Sequence, residues 1–185
     1  MTASDPGSSA QSPTNGSSAN GKPSTEGHPA IDRTSWLLDR TEALCKFDTT
    51  TGREDTGLPA LRSELLDLGA EVQLQQVEPK RHNVLATWGK PKLLFSTHLD
   101  TVPPFLPPKR SGDLLSGRGT CDAKGQIVVQ LAAIQALLEQ GHTDLAWLGV
   151  VGEETDSIGA NAAGDLTSSL RECVAVINGE PTENK

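Results

Sequence analysis

One imidazole and five carboxylates stand next to apolar stretches of this sequence, in positions where their side chains could do chemistry. They are His98, Asp100, Asp122, Glu153, Glu154 and Glu180. Without a compensating cation, so many like charges at short range would repel one another or force protonation. Mixed histidine and carboxylate ligands suit Zn²⁺ and its neighbours Co²⁺ and Mn²⁺. If the fold brings these side chains together, the pattern therefore predicts a metal site.

Three strand-like stretches would position these side chains. KLLFST precedes His98, DLAWLGVV precedes the two neighbouring glutamates, and CVAVI lies just before Glu180. All three are apolar on both faces, which is typical of strands covered on both sides. Helical patterns separate them, namely DAKGQIVVQLAAIQALLEQG, which Gly141 closes, and the shorter SIGANAAGDL. We therefore predict an α/β fold with a largely parallel sheet and helices on both faces.

The order of these elements predicts where the six side chains meet. The carboxyl ends of parallel strands lie on one edge of a sheet, and the start of a crossover helix, where Asp122 stands, lies on the same edge. Open α/β sheets bind ligands at that edge. The acids outnumber the ligands that one tetrahedral ion needs, which indicates two ions that share a carboxylate.

The spacing of neighbouring site residues indicates different roles. In an extended segment, residues i and i+2 point to the same side, so Asp100 could hydrogen-bond the far nitrogen of His98. The adjacent Glu153 and Glu154 point in different directions. One of them could therefore bind a metal ion while the other stays free as a base.

The rest of the chain divides into a low-complexity start and a folded remainder. Residues 1–30 are mostly Ser, Gly, Pro, Asn and Ala, and we expect them to be disordered. Residues 31–185 form the predicted domain. Its first part should contain two helices, in DRTSWLLDRTEALCKF and LPALRSELLDLG, followed by a hairpin or two edge strands in EVQLQQV and HNVLATW.

Composition excludes several classes of partner. The chain has 16 Lys and Arg against 24 Asp and Glu, a formal net charge of −8, which disfavours binding to nucleic acid or to an anionic membrane. No apolar stretch is long enough to span a bilayer, and the first residues show no secretory signal. The three cysteines are far apart and lack C-x-x-C spacing, so we expect reduced thiols in a cytoplasmic protein.

Individual motifs also have simpler explanations. Asp122 could only cap the helix that follows it, and Glu180, before a proline, could be a turn residue. The motif GRGTCDAKG begins like a dinucleotide fingerprint, but an acid occupies the position of the third glycine and would repel a pyrophosphate. We interpret Cys121 as a packing residue, because no histidine is placed to activate it. Two alternative functions therefore stay open: a non-catalytic metal-binding fragment and a nucleotide-binding α/β domain.

Four motifs resemble, in the same order, those of a known metallohydrolase family. STHLDTVP resembles its histidine–aspartate motif, SGRGTCDAKG its bridging-aspartate motif, GEETDSIGA its paired-glutamate motif, and NGEPT a later ligand motif. The family contains acetylornithine deacetylase, succinyl-diaminopimelate desuccinylase, carboxypeptidase G and the aminoacylases. The resemblance covers about residues 34–185 and implies part of a zinc-exopeptidase-like catalytic domain.

The resemblance also implies a role for each residue of the site. Four side chains would bind two divalent ions, zinc by the resemblance: His98, Asp122, Glu154 and Glu180. The aspartate would bridge both ions, Glu154 would bind the second ion, and the other two would bind the first. Asp100 would orient the histidine, and Glu153 would be the general base.

By the same resemblance, the function would be amide hydrolysis by a water activated between two ions. The substrate would be an N-acyl amino acid or a short peptide, and full-length relatives would form homodimers through an inserted lid and dimerisation domain. That domain, and a late histidine that completes the second metal site, have no counterpart in these 185 residues. We therefore expect the 185 residues alone to hydrolyse N-acyl amino acids poorly or not at all.

Overall fold

The computed structural model describes residues 33–182, so the segment predicted to be disordered lies outside the described residues. Four α-helices were expected from the sequence, and all four are present. They are α1 (Arg33–Cys45), α2 (Leu58–Asp67), α3 (Lys124–Glu139) and α4 (Ile158–Ala162). Two 3₁₀ helices (Glu54–Thr56 and Ala163–Ser168) accompany α2 and α4. Among the described residues, no helix is both long and apolar enough to cross a membrane.

The helix ends follow from local chemistry. Pro59 stands in the first turn of α2, where its missing N–H leaves no intrahelical bond unmade. Gly69 follows the end of α2 with a φ of +78°, and Gly141 follows α3 with a φ of +87°. Side chains rarely adopt this left-handed conformation, so glycine is favoured at both positions.

Five strands form the main sheet, which is mixed rather than largely parallel. The strands are β1 (Glu71–Glu78), β2 (Arg81–Trp88), β3 (Leu93–His98), β6 (Leu145–Val150) and β7 (Ala175–Asn178), in the spatial order β1-β2-β6-β3-β7. β6, β3 and β7 are parallel neighbours, as predicted. β1 and β2 form the predicted hairpin, but β2 also pairs antiparallel with β6, so that of these two strands only β1 lies at an edge of the sheet.

A second, two-stranded sheet was not expected from the sequence. It consists of β4 (Lys109–Ser111) and β5 (Leu114–Ser116), joined by a turn with Gly112 at a φ of +59°. Each strand has three residues, which is too short for an apolar/polar alternation to be recognised.

The main sheet separates two apolar cores. On one face, the fully buried Trp147 of β6 packs with residues of α1, α2 and α3, among them Leu65 and Ile134. On the other face, Leu148 lies in a smaller cluster with Leu166 of the second 3₁₀ helix. Neighbouring residues of β6 thus enter different cores, which explains why the strand is apolar on both faces. The predicted α/β class with helices on both faces is confirmed.

Candidate metal centre

Strand register brings the six predicted residues to one edge of the main sheet. His98, the last residue of β3, pairs with Val150, the last residue of β6, three positions before Glu153. Ser96 of β3 pairs with Asn178, the last residue of β7, so that Glu180 follows at the same edge. Asp122 stands two residues before α3 begins. The predicted convergence of these segments is thus present in the structure.

Three of the side chains lie close enough to hold one ion. His98 Nε2 is 2.8 Å from Asp122 Oδ1 and 3.8 Å from Glu180 Oε2. One ligand atom from each of these three residues lies within 4.8 Å of the other two. The histidine is 1% exposed, whereas the aspartate is 44% and the glutamate 39% exposed, so the group opens to solvent on its carboxylate side. A nitrogen and two carboxylates are a donor set that fits Zn²⁺, Co²⁺ or Mn²⁺.

The two neighbouring glutamates flank this group of three. Glu153 Oε2 lies 4.0 Å from His98 Nε2, and its side chain is 43% exposed. Glu154 is not part of the three-residue group. Burial, followed by the negative charge of Asp122, raises the pKa of Glu154. The contact that attaches Glu154 to the site is its main-chain N–H, which donates to Asp100 Oδ2.

His98 is held by the residue two positions further along the chain. Its Nδ1 lies 3.0 Å from the main-chain carbonyl oxygen of Asp100 and 3.4 Å from Oδ1 of the same residue. The nearer partner of His98 Nδ1 is therefore the carbonyl oxygen of Asp100, whereas its carboxylate was expected from the sequence. Burial disfavours a charged imidazole, but hydrogen bonding and charge from Asp100 and Asp122 outweigh it and raise the pKa of His98 to about 9.

The carboxylate of Asp100 instead binds the loop that follows β6. Oδ1 accepts a hydrogen bond from the Glu153 N–H (3.0 Å), and Oδ2 accepts one from the Glu154 N–H (3.1 Å). The Thr51 hydroxyl also donates to Oδ2 (2.8 Å). Burial opposes ionisation, but hydrogen bonds from His98, Thr51 and Glu154 keep the pKa of Asp100 below its usual range. Asp100 thus connects the end of β3 to the loop with the two glutamates.

Thr51 belongs to this site, although no pattern in the sequence indicates it. Thr51 precedes Asp100 by 49 residues and belongs to neither a strand nor a helix of the structure. A threonine in a loop carries no local signal of a distant carboxylate partner. Only the folded chain, in which Thr51 N–H also donates to the Thr101 carbonyl, shows the connection.

The segment before Glu180 is fixed by main-chain and side-chain hydrogen bonds. Gly179 N–H donates to the Ser96 carbonyl oxygen (2.8 Å), and the Thr97 hydroxyl donates to the Gly179 carbonyl oxygen (2.8 Å). A Cβ atom at Gly179 would clash with the side chain of Gln130 in α3. These contacts attach the end of β7 to β3 and hold Glu180 beside the histidine.

Asp122 and Cys121 differ from their simpler interpretations. Asp122 does not cap α3, because Ala123 is the N-cap residue and no side chain caps the helix. Its carboxylate contacts His98 instead. The interpretation of Cys121 as a packing residue was wrong, because its side chain is exposed. Cys121 and the other two cysteines are free thiols.

Comparison with known proteins identifies a family for this arrangement. The model of peptidase family M20/M25/M40 matches residues 94–185. A peptidase M20 domain-containing protein of Schizosaccharomyces pombe is 37% identical over 158 residues, which cover 80% of this chain and 39% of that protein. A protein of Talaromyces marneffei named "probable carboxypeptidase" is 34% identical over 179 residues, covering 81% of this chain and 40% of its own length.

A solved structure shows the same fold. A tripeptidase from Staphylococcus aureus is 25% identical to the chain and superposes with a TM-score of 0.66, covering 80% of this chain and 44% of the tripeptidase. The chain spans about two fifths of the length of the two fungal relatives named above. The residues that the family model matches include all six side chains at the edge of the sheet, and these similarities place the chain in peptidase family M20/M25/M40.

Proposed function

We propose that this chain carries the metal-binding part of a metal-dependent hydrolase that cleaves the amide bond of short peptides or N-acyl amino acids. The observation that carries the proposal is the group of His98, Asp122 and Glu180 at the carboxyl edge of the sheet. Such a group would be costly without a cation, because it brings carboxylates together beside a buried imidazole. Membership of a peptidase family supports hydrolysis as the reaction.

Two divalent ions, zinc by preference, fit the available donors. His98 and Glu180 would hold the first ion, Glu154 would hold the second, and Asp122 would be shared between them. When bound, such ions polarise a substrate carbonyl and lower the pKa of water toward neutrality. Sharing is supported by the contact of Asp122 with His98 and by the negative charge of Asp122, which adds to burial in raising the pKa of Glu154.

Glu153 is the proposed general base. Its carboxylate is close to His98 but 43% exposed, so that it can reach both a water molecule and a bound substrate. In the proposed reaction it takes a proton from the attacking water and gives that proton to the leaving amine. Its main chain is fixed by the hydrogen bond to Asp100, which aims the flexible side chain at the site.

The names of similar proteins help to choose between peptides and N-acyl amino acids as the substrate. The probable carboxypeptidase of Talaromyces marneffei and the tripeptidase of Staphylococcus aureus are named for peptide substrates. We therefore propose short peptides as the principal substrates and N-acyl amino acids as the second candidate. A cytoplasmic location is proposed as well, since the three cysteines are free thiols.

The proposed role of Glu153 predicts that Glu153→Gln separates metal binding from hydrolysis. We expect zinc affinity to stay within about 3-fold of wild type, because Glu153 is proposed neither to bind an ion nor to orient a ligand. Loss of a residue that orients a ligand usually weakens metal affinity by about 10–100-fold. Hydrolysis should fall by about 10²–10⁴-fold, the usual contribution of a general base. The measurement is hydrolysis of dipeptides and N-acyl amino acids by a chimera in which this chain replaces the matching segment of the Schizosaccharomyces pombe relative.

The chimera also separates the alternative functions. Full hydrolysis by the Glu153→Gln chimera would remove this residue from the role of base. Zinc binding without hydrolysis by a folded chimera would support the non-catalytic alternative. Preference for an N-acyl amino acid over the matching dipeptide would reverse the proposed order of substrates.

A further inference from the structure

The loop with the two glutamates is closed at its base by one buried carboxamide. Asn83 of β2 accepts a hydrogen bond from the Val151 N–H at its Oδ1 (3.0 Å) and donates from Nδ2 to the Gly159 carbonyl oxygen (2.8 Å). Gly159 N–H in turn donates to the Val151 carbonyl oxygen (2.9 Å). Residues 151 and 159 are therefore joined directly and through Asn83, and residues 152–158 form the closed loop between them.

The partners of Asn83 determine the orientation of its side chain. Its second amide hydrogen is donated to Gln75 Oε1 (2.9 Å) on the neighbouring strand β1, and Gln75 Nε2 donates to the Ala162 carbonyl oxygen (2.7 Å). A reversed carboxamide would direct its oxygen at two acceptor oxygens and its amide hydrogens at the Val151 N–H. Asn83 is 0% exposed, so water cannot replace the lost partners.

The space around this contact is fully used. A Cβ atom at Gly159 would lie 2.5 Å from Asn83 Oδ1, so only glycine permits the close approach of α4 to the strand. Gly152, the first loop residue, lies against Arg81, where a Cβ atom would be 2.7 Å from Nη2. Arg81 is itself held by the fully buried carboxylate of Glu54 (Nη2–Oε1, 2.6 Å). The base of the loop is thus rigidly packed.

Two separate contacts therefore hold the loop. Asp100 binds the N–H groups of Glu153 and Glu154 at its near end, in direct contact with the site. Asn83 binds Val151 and Gly159 at its base and contacts none of the predicted metal ligands directly. Changes to Asn83 should therefore alter the placement of the glutamates without removing a group from the site.

We infer that Asn83 is a positioning residue, which sets the place of Glu153 and Glu154 by closing the loop that carries them. The consequence for the site, a correctly placed base and a correctly placed ligand of the second ion, rests on the proposed function. The closure itself is independent of that function. Partners of this kind, which orient ligands and do not bind the ion, usually affect metal affinity by about 10–100-fold.

Amide hydrogen exchange of the 185-residue chain tests the closure without any metal. Asn83→Ala should accelerate exchange of residues 151–159 by about 10-fold or more, since the loop would open locally. Exchange within α2, which serves as the reference segment, should change much less. The matched control is Gln75→Ala, which removes one partner of the same carboxamide but leaves both of its contacts with the loop, so it should accelerate exchange of residues 151–159 much less than Asn83→Ala does.

Zinc titration of the same variants, made in the chimera with the Schizosaccharomyces pombe relative, tests the consequence. Asn83→Ala should leave the affinity for the first ion within about 3-fold and weaken the second by about 10-fold or more. If Asn83→Ala does not fold, Asn83→Asp takes its place, because it has nearly the same shape and keeps the acceptor for Val151 N–H, while its second oxygen faces the acceptor oxygens of Gly159 and Gln75.

The outcomes distinguish the two ideas. Unchanged exchange of residues 151–159 would overturn the inference, and so would an equal acceleration in α2, because Asn83 would then contribute only to general stability. Failure of the wild-type chain to bind zinc would instead contradict the proposed function, while the exchange measurement would still decide the role of Asn83.

Discussion

The free energy of unfolding should fall by about 3–5 kcal/mol when Asp100 is replaced by alanine, the range measured when one partner of a buried charged pair is removed. The side chain of Asp100 is fully buried and accepts hydrogen bonds from Glu153 N–H, Glu154 N–H and the Thr51 hydroxyl. Alanine would leave these donors buried without partners and would create a void. Urea unfolding followed by circular dichroism measures the change.

Thr51→Val is the matched control for this substitution. It removes one of the three donors but leaves the carboxylate with its two main-chain partners, so the expected loss is only about 1 kcal/mol. Asp100→Asn should lose an amount of stability between these two values. Its single oxygen can still accept one main-chain hydrogen bond, but its NH₂ group faces the other main-chain N–H. A loss below about 1 kcal/mol for Asp100→Ala would show that the carboxylate does not hold the loop.

Replacement of Asp122 by alanine should weaken zinc binding more than any other single substitution, by more than about 100-fold. Loss of a residue that only orients a ligand weakens metal affinity by at most about 100-fold. Asp122 is proposed to bind both ions itself, so its loss should have a larger effect. Its Oδ1 is the carboxylate oxygen nearest to His98 Nε2, at 2.8 Å. Titration of the metal-free chain with zinc, in competition with a chelator of known affinity, measures the affinity.

Asp113→Ala is the control for a change in overall charge. Asp113 lies in the exposed turn between β4 and β5, outside the three-residue group. Its loss removes the same charge from the surface, and the affinity should stay within about 3-fold because exposed charges are screened by salt. Equal effects of Asp113→Ala and Asp122→Ala would indicate general attraction of cations rather than a site.

The convergence of the site could be predicted from the sequence because it depends on local patterns. Apolar runs before His98, Glu153 and Glu180, separated by helical segments, specify parallel neighbours with a common edge. Asp122 could be assigned to that edge because it precedes the crossover helix. These inferences need only the order of the elements, and neither side-chain contacts nor strand register enters them.

The position of the hairpin in the sheet could not be predicted in the same way. The partly alternating patterns EVQLQQV and HNVLATW indicate two strands but not which other strand lies beside them. The pairing of β2 with β6 is antiparallel and joins Val84 to Gly149, residues 65 positions apart. Local patterns therefore predicted the strands of the main sheet but not their full order.

The contacts that hold the glutamate loop were also beyond prediction. Asp100 was expected to serve its neighbour His98, but its carboxylate binds N–H groups more than 50 residues away. Asn83 stands inside the strand pattern HNVLATW and has no local mark of its contact with Val151. Both depend on distances between elements, which only the packed structure specifies.

The most direct test of the proposed metal centre is the zinc content of the folded chain. After exposure to zinc and extensive dialysis, elemental analysis should find at least one ion per wild-type chain, because His98, Asp122 and Glu180 bring three ligand atoms close enough to hold one ion. The same analysis of His98→Ala should find much less than one. Absence of zinc from wild-type protein whose fold is verified by circular dichroism would contradict the account.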